Sequence, residues 1–310
     1  MLHRLDHFRD IPPECQGGIV SIGNFDGVHL GHLQLVKCMR GMARREGVPA
    51  VAFTFDPHPV SLLRPEQSPE PLTWTERKVK LLQSHGVDEV VVLHTTLEFL
   101  RLSADEFFAQ VIRSSLRALG LVEGPNFGFG RGRGGSVATL NRLCPAAGVQ
   151  LETVDPLLLD GQAVSSSRIR QCLAAGRVDL ALRLLGRPHR VRGRVGTGAA
   201  RGAGLGFPTA NLDGCDTFLP ADGVYACRAV AASRTWPVAA HIGPNATFGE
   251  VQRKLEAHLI GFGGDLRGQM LEVDFVARLR GTQAFASAAE LVEQMRRDCA
   301  EAERIAGERQ

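Results

Sequence analysis

The decapeptide Gly23-Asn24-Phe25-Asp26-Gly27-Val28-His29-Leu30-Gly31-His32 constrains this chain most, because it stands where a strand has to give way to a helix. Before it, Gly18 to Ile22 is a short apolar run of strand type; after it, Leu33, Val36, Met39 and Ala43 recur at helical spacing as far as about Gly47. Such a junction opens a βαβ unit. The two histidines fall at i and i+3 where the helix starts, beside backbone N–H groups without helical partners and the positive end of the helix dipole. That is an anion site suited to phosphate oxygens, and Gly27 and Gly31 let ligand and backbone approach closely. A solvated turn or a partial metal site would be the alternative for any histidine pair, but no further Cys or His stands at short metal-ligand spacing here.

The alternation continues. Apolar, β-branched runs at 50–55, 89–93, 119–122 and 149–154 are separated by helical stretches near 75–84, 104–116 and 137–147. This spacing predicts a parallel sheet with ligands at the carboxyl ends of its strands. After a helical segment at 179–185, Gly186-Arg187-Pro188 reads as a linker, which divides the chain into domains 1–186 and 187–310. Beyond it, short strand-like runs at 191–195, 224–229, 238–242, 255–260 and 271–277 suit an antiparallel barrel or a sandwich, closed by an amphipathic helix at about 287–303.

Length and composition fit this division: 310 residues, 44% hydrophobic and 22% charged, are enough for two ordinary globular cores. A net charge of +3 makes any nucleic-acid footprint local. Seven cysteines form no C-x-x-C pair and leave one over, which suits reduced thiols. With no apolar leader or membrane-length run, the expectation is a soluble cytoplasmic protein without a membrane partner, and a homo-oligomer stays open.

Three further segments carry chemistry in the first half. Phe55-Asp56-Pro57-His58-Pro59 follows the second strand and therefore belongs to the same carboxyl edge as His29 and His32, although two prolines also suit a plain rigid turn. In Gly124-Pro125-Asn126-Phe127-Gly128-Phe129-Gly130-Arg131-Gly132-Arg133-Gly134-Gly135, Asn126, Phe127 and Phe129 suit a flavin or adenine pocket, with Arg131 and Arg133 toward phosphate. An Arg/Gly segment that contacts RNA is the alternative for the same residues. Ser165-Ser166-Ser167-Arg168-Ile169-Arg170 starts a helix; one serine is explained as an N-cap, while Ser165, Ser166, Arg168 and Arg170 together make a second anion site.

In order, these segments resemble the motifs of the HxGH nucleotidyltransferase superfamily, in particular its prokaryotic flavin adenylyltransferase branch, over a Rossmann-like domain. The resemblance implies an ATP site at Gly23, Asn24, Phe25, Asp26, Gly27, His29 and His32, completed by Ser165, Ser166, Arg168 and Arg170, and a flavin site at Phe55, Asp56, His58, Asn126, Phe127 and Phe129. In the second half, Gly206-Phe207-Pro208-Thr209-Ala210-Asn211-Leu212 resembles the signature of riboflavin kinase modules, whose fold is an antiparallel barrel. That likeness implies phosphates and Mg²⁺ at Gly202, Thr209 and Asn211, a catalytic base at Glu256, and a flavin-facing end at Arg278 and Phe285. The chain departs from the usual kinase pattern at Thr197, Ala203, Ala246 and Gly261.

Taken over nearly the whole chain, the resemblance is to bifunctional riboflavin kinases and flavin adenylyltransferases. It implies a transferase that uses MgATP to make FMN from riboflavin and FAD from FMN, with small molecules rather than nucleic acid as partners. A FAD synthetase with a decayed kinase module, or a nucleic-acid binder acting through Arg131 and Arg133, would be the alternatives.

Overall fold

In the computed structural model, which describes residues 1–196, 204, 206–244 and 253–308, internal contacts divide the chain into Met1–Pro69 with Thr73–Val164, and Glu70–Leu72 with Ser165–Gln310.

The first unit is built on six parallel strands: β1 (Leu2–Leu5), β2 (Ile19–Ile22), β3 (Ala50–Asp56), β4 (Glu89–His94), β5 (Gly120–Glu123) and, further on, β8 (Gln150–Thr153). Between β5 and β8 lies the small hairpin β6 (Gly128–Phe129) and β7 (Gly135–Ser136); after β8 comes a second, β9 (Leu158–Leu159) and β10 (Gln162–Ala163). The sheet order is β1-β4-β3-β2-β5-β8, so the chain winds one way from β2 through β4 and the other way from β5. The reversal falls between β2 and β5, which opens a crevice at their carboxyl ends. The helices of this unit are α1 (Leu30–Glu46), α2 (Pro59–Leu63), α3 (Thr75–Ser84), α4 (Leu97–Leu100), α5 (Ala104–Phe107) and α6 (Val137–Ala146).

The central strands are apolar on both faces, as a covered parallel sheet requires. Period two divides them: Val20, Ile22, Val51, Phe53 and Leu121 pack into one core with Phe99, Phe107 and Phe108, whereas Ile19, Ala52, Val90 and Val122 pack against Val36, Met39 and Met42 of α1 in the other. Each large apolar side chain buried this way contributes about 1.5–3 kcal/mol. Gly47 ends α1 at φ +69°, a left-handed position that glycine takes without strain, and its N–H reaches Ala43 O.

The second unit closes a six-stranded barrel in the order β11-β12-β15-β14-β13-β16, and so resolves the sandwich alternative. Its strands are β11 (His189–Gly196), β12 (Ala210–Asp213), β13 (Gly223–Ala231), β14 (Arg234–Gly243), β15 (Lys254–Leu259) and β16 (Met270–Arg280), with β16 pairing β11 to complete the ring. Leu255, Ala257 and Leu259 face the interior, and Glu256 and His258 alternate outward. Among the described residues this unit holds the helices α7 (Ser166–Ala174), α8 (Val178–Leu185) and the C-terminal α9 (Ala288–Glu308). Arg280 on β16 binds Asp298 on α9 at 2.7 Å and Arg228 donates to Ala306 O at 2.9 Å, which docks the helix on the barrel. Gly186 ends α8 at φ +73°, and β11 begins at His189, so residues 186–188 make the short step from helix to barrel within the second unit.

Two local readings change. The helix expected at 104–116 is α-helical only to Phe107 and widens into a π-helical stretch over Phe108–Ser115. Strand β1 is an edge strand that the polar pair His3-Arg4 hides from an alternation test. All seven cysteines are free thiols, and no helix among the described residues is long and apolar enough to cross a membrane.

Candidate active sites

Strand β2 ends at Ile22, and the next residues turn sharply: Phe25, Gly27 and Val28 all take positive φ, at +47°, +83° and +38°. For a buried, β-branched valine that conformation is strained, and such strain is held only where surrounding structure over-determines it. What over-determines it is a polar network under the turn. Thr54 Oγ1 donates to Asn24 O at 3.2 Å, the buried Lys78 lies 3.5 Å from Thr54 Oγ1, and Thr73 N–H donates to Asp26 at 3.2 Å. Burial lowers the Lys78 pKa, against the pull of Asp26 and Asp56.

His29 then caps α1, its Nδ1 accepting the His32 N–H at 3.3 Å, and the two rings stack with centroids 3.6 Å apart and 16° between planes. Phe25 meets His32 edge-on at 5.4 Å. At Gly31 an added Cβ would lie 3.1 Å from Val164 O and 3.2 Å from the His29 ring, so a side chain there would press on the imidazole. Ser21 Oγ, Asn24 Oδ1 and Gln34 Oε1 are buried without a hydrogen-bond partner among the described residues. In the first unit these orphaned polar atoms all lie on β2, the turn or α1. Buried polar groups are ordinarily satisfied, so their concentration here points to a polar ligand.

Along the same carboxyl edge runs a file of aromatic rings. Phe53, Phe55, Phe99, Phe107, Phe129 and Phe127 follow one another at centroid spacings of 5.5 to 5.8 Å, the last pair stacked. A small open cleft at the ends of β1 and β4, lined in part by Phe8, His94 and Phe99, shares one ring with that file. Asp56 accepts from Thr75 Oγ1 at 2.8 Å, and His58 caps α2 by accepting the Val60 N–H at 3.1 Å. The glycine-rich segment is folded rather than trailing: Arg133 turns back to donate to Asn126 O at 2.9 Å, and Gly130 packs so tightly that a Cβ would lie 2.7 Å from Ala104 N. Arg133 was expected to face phosphate; its guanidinium instead braces its own hairpin. Ser165 caps α7 through the Arg168 N–H at 3.2 Å, and Arg170 donates to Glu70 O at 2.8 Å, both within the second unit.

On the barrel, register assembles a row that the sequence keeps apart. Glu256 on β15 is paired with Asn211 on β12 and with His241 on β14, so the three side chains stand side by side on the outer face. Thr209 precedes Asn211 by two residues and lies immediately before β12. His258 binds Pro208 O at 2.7 Å and meets the Phe207 ring edge-on at 5.6 Å, which fixes the segment that carries Thr209. His241 was not foreseen, and only strand pairing could have found it. Burial, and then Arg280, lower its pKa against Asp222, so the imidazole opposite Glu256 is neutral at pH 7. Arg278 donates to Asp222 O at 2.7 Å, while the Phe285 ring lies 5.7 Å from the Arg280 guanidinium. Gly202, Thr197, Ala203 and Ala246 lie outside the described residues. At Gly261, φ is +80°, and the turn after it is held by the Arg267–Asp265 pair at 2.6 Å.

One metal-ligand type cluster occurs among the described residues: His3, Cys15 and Glu89, at the amino end of the sheet. His3 Nε2 and Glu89 Oε2 are already paired at 2.7 Å, and burial, with Glu89 and Glu14, pushes the Cys15 thiol to about 12. It reads as a hydrogen-bonded His–Glu pair beside a buried thiol.

Residues 11–168 match the family model for FAD synthetase, and residues 185–306 match that for riboflavin kinase. The chain is 37% identical over 298 residues to the bifunctional riboflavin kinase/FMN adenylyltransferase of Pseudomonas fluorescens, covering 96% of each. It is 34% identical over 284 residues to the protein of the same name from Escherichia coli (strain K12), covering 91% of each. A solved structure from Streptococcus pneumoniae, described as a macrolide-efflux protein, superposes with a TM-score of 0.86 at 30% identity and 98% coverage of both chains. With both models matched in order along nearly its whole length, the chain belongs to the bifunctional riboflavin kinase/FMN adenylyltransferase family.

Proposed function

We propose that the turn of residues 23–32 binds the ATP that adenylylates FMN, and that the row of Asn211, Glu256 and His241 serves phosphorylation of riboflavin. The first assignment is carried by the orphaned buried atoms beside the start of α1: the Ser21 hydroxyl can donate to a phosphate oxygen, and the acceptors Asn24 Oδ1 and Gln34 Oε1 would take hydrogen bonds from solvent or from an amino or hydroxyl group of the nucleotide. As a member of its family the chain is a transferase. Domain 1–186 would make FAD and domain 187–310 would make FMN, in the cytoplasm, with these small molecules rather than nucleic acid or a membrane as partners.

Adenylyl transfer needs no protein nucleophile. A phosphate oxygen of FMN attacks the α-phosphorus of ATP, the bond to the bridging oxygen breaks, and pyrophosphate leaves. The protein's task is alignment and stabilisation of the developing charge, which the stacked imidazoles and the N–H groups of α1 can supply. The second helix start, with Ser165, Ser166, Arg168 and Arg170, is a further phosphate site in this reading. The aromatic file with Asp56, His58 and Asn126 would hold the flavin.

In the kinase reaction Glu256 takes the proton from the terminal ribityl hydroxyl as that oxygen bonds to the γ-phosphorus and ADP departs. The neutral His241 beside it leaves the carboxylate's charge intact. Thr209 and Asn211 would offer a hydroxyl and an amide oxygen two residues apart, and Glu256 stands opposite Asn211 in register, a hard oxygen set that fits Mg²⁺. When bound, the ion would neutralise phosphate charge. Arg278 and Phe285 would border the flavin.

The test is to incubate the pure protein with riboflavin, ATP and Mg²⁺ and to separate the products. FMN together with FAD supports the proposal. FAD formed only from supplied FMN would mean a decayed kinase module, and neither product, with salt-sensitive RNA binding, would overturn both assignments.

A further inference from the structure

A lysine lies under the phosphate turn, at a helix position that would ordinarily be apolar. Lys78 stands with Val79 and Leu82 on the buried face of α3 and is 7% exposed. Val79 and Leu82 share a core with Phe25 and Val28, so this face of α3 packs beneath the turn itself. The Lys78 ammonium reaches Thr54 Oγ1 at 3.5 Å, and that hydroxyl in turn donates to Asn24 O at 3.2 Å. Among the described residues its Nζ makes no other hydrogen bond.

Two carboxylates flank that ammonium. Asp26 belongs to the turn, is buried, and accepts the N–H of Thr73, two residues before α3 starts, at 3.2 Å. Asp56 ends β3, shares the face of Thr54 by period two, and accepts from Thr75 Oγ1 at 2.8 Å. Thr75 is the first residue of α3 and Lys78 follows it at i+3, so the two are neighbours on the helix surface. Burial lowers the Lys78 pKa while Asp26 and Asp56 both raise it, which agrees with that placement. Arg4 also lies 3.6 Å from Asp56, but that pair is partly exposed and water screens it. A buried cation gives up its hydration, and a residue that only had to hold α3 on the sheet would do so better with an apolar side chain. What the cation supplies is charge. Two carboxylates beside a polyphosphate would repel it, and the start of α1 offsets them with a partial charge of only about +0.5.

We propose that Lys78 is a positioning residue for ATP: its ammonium offsets the carboxylates of Asp26 and Asp56, and so keeps the turn receptive to a triphosphate. The inference rests on the turn being the ATP site. Lys78 acts through those carboxylates and does not touch the nucleotide. Because the triphosphate carries its charge before and during the reaction, this contribution is to uniform binding, which shows in KM and leaves kcat nearly unchanged. A lysine that merely held the shape of the turn would, when lost, misalign His29 and His32 and lower kcat as well.

The experiment measures KM for ATP and kcat of FMN adenylylation in the full chain. The proteins are wild type, Lys78→Met, Lys78→Arg, Asp26→Asn, Lys78→Met combined with Asp26→Asn, and His32→Ala, each checked for folding by circular dichroism melting. Loss of one unit charge near the phosphates in a partly dry site is expected to raise KM for ATP about tenfold in Lys78→Met, with kcat within about twofold of wild type. Lys78→Arg keeps the charge and should stay within about threefold of wild type. In the Asp26→Asn background one of the two carboxylates is already gone, so Lys78→Met should raise KM there by only about threefold. Unchanged KM in Lys78→Met, a loss carried by kcat instead, or equal effects in the two backgrounds would overturn the assignment. If Lys78→Met fails to fold, Lys78→Gln, which keeps a donor for Thr54 without the charge, replaces it under the same expectations. His32→Ala separates the two claims: if it too is unimpaired, the ATP-site reading has failed, whereas loss there with no effect at Lys78 removes Lys78 only.

Discussion

The phosphate turn and the barrel row reach comparable chemistry by opposite routes. The turn draws its histidines, its strained backbone and most of its orphaned polar atoms from one stretch between Ser21 and Gln34, and a single cap fixes His29 against His32. The row takes Asn211, His241 and Glu256 from three strands and depends on register to bring them together. A slip of one residue on β15 would send Glu256 into the interior where Leu255 and Ala257 now pack. A contiguous motif carries its own geometry wherever a strand meets a helix. A cross-strand row exists only once the whole barrel has closed.

The sharpest way to break that comparison is to disable each site and watch the other. Glu256→Gln is expected to lower FMN formation by roughly 10²–10⁴-fold, the range for removing a general base. FMN adenylylation should continue at the wild-type rate. Loss of both activities in a folded protein would mean that the two sites are not separate. His32→Ala should do the reverse, with a loss of roughly 10²–10³-fold in FAD formation for one charge-stabilising group. Chromatography of products from riboflavin and from FMN reads both variants.

How much of this the sequence could express follows the same division. The turn, α1, α3 and the apolar strands were legible because each is specified by neighbours: periodicity, caps and glycines within a dozen residues. Strand β12 was hidden behind a glycine-dense segment, and only barrel closure makes Ala210–Asp213 a strand. Lys78 looks like any solvent-facing helix lysine, yet it is 7% exposed beneath the turn. Glu123 ends an apolar strand in the way a solvent-facing terminus does, and its partner Ile22 is 101 residues away. His241 becomes a site residue only by facing Glu256. Arg133 erred in the other direction: its charge suggested phosphate, but a close backbone carbonyl claimed it.

A smaller effect sharpens the account of the row. His241→Ala removes the neutral neighbour of Glu256 without touching its carboxylate, and FMN formation should fall by about 3–10-fold, as expected for a group that shapes a site without joining the chemistry. Steady-state kinetics with riboflavin would show this. A fall as large as that of Glu256→Gln would place the imidazole in the reaction itself.

The smallest effects are on stability, and here the two regions should carry opposite pH dependence. Burial raises the folded pKa of Glu123 above its unfolded value, so its contribution is complete below the ordinary carboxylate range and is lost as pH rises toward the raised value. His241 has a folded pKa lowered from 6.5, so its contribution is complete above that value and is lost as pH falls through the lowered one. Melting temperatures of Glu123→Gln and His241→Asn relative to wild type, measured from pH 4 to 9, separate the two slopes. Glu123→Gln should gain on wild type as pH rises, and His241→Asn should gain as pH falls. A Glu123→Gln difference that is flat with pH would mean that the acid is hydrated in solution, and the crevice between β2 and β5 would then be as open as the outer face of the barrel.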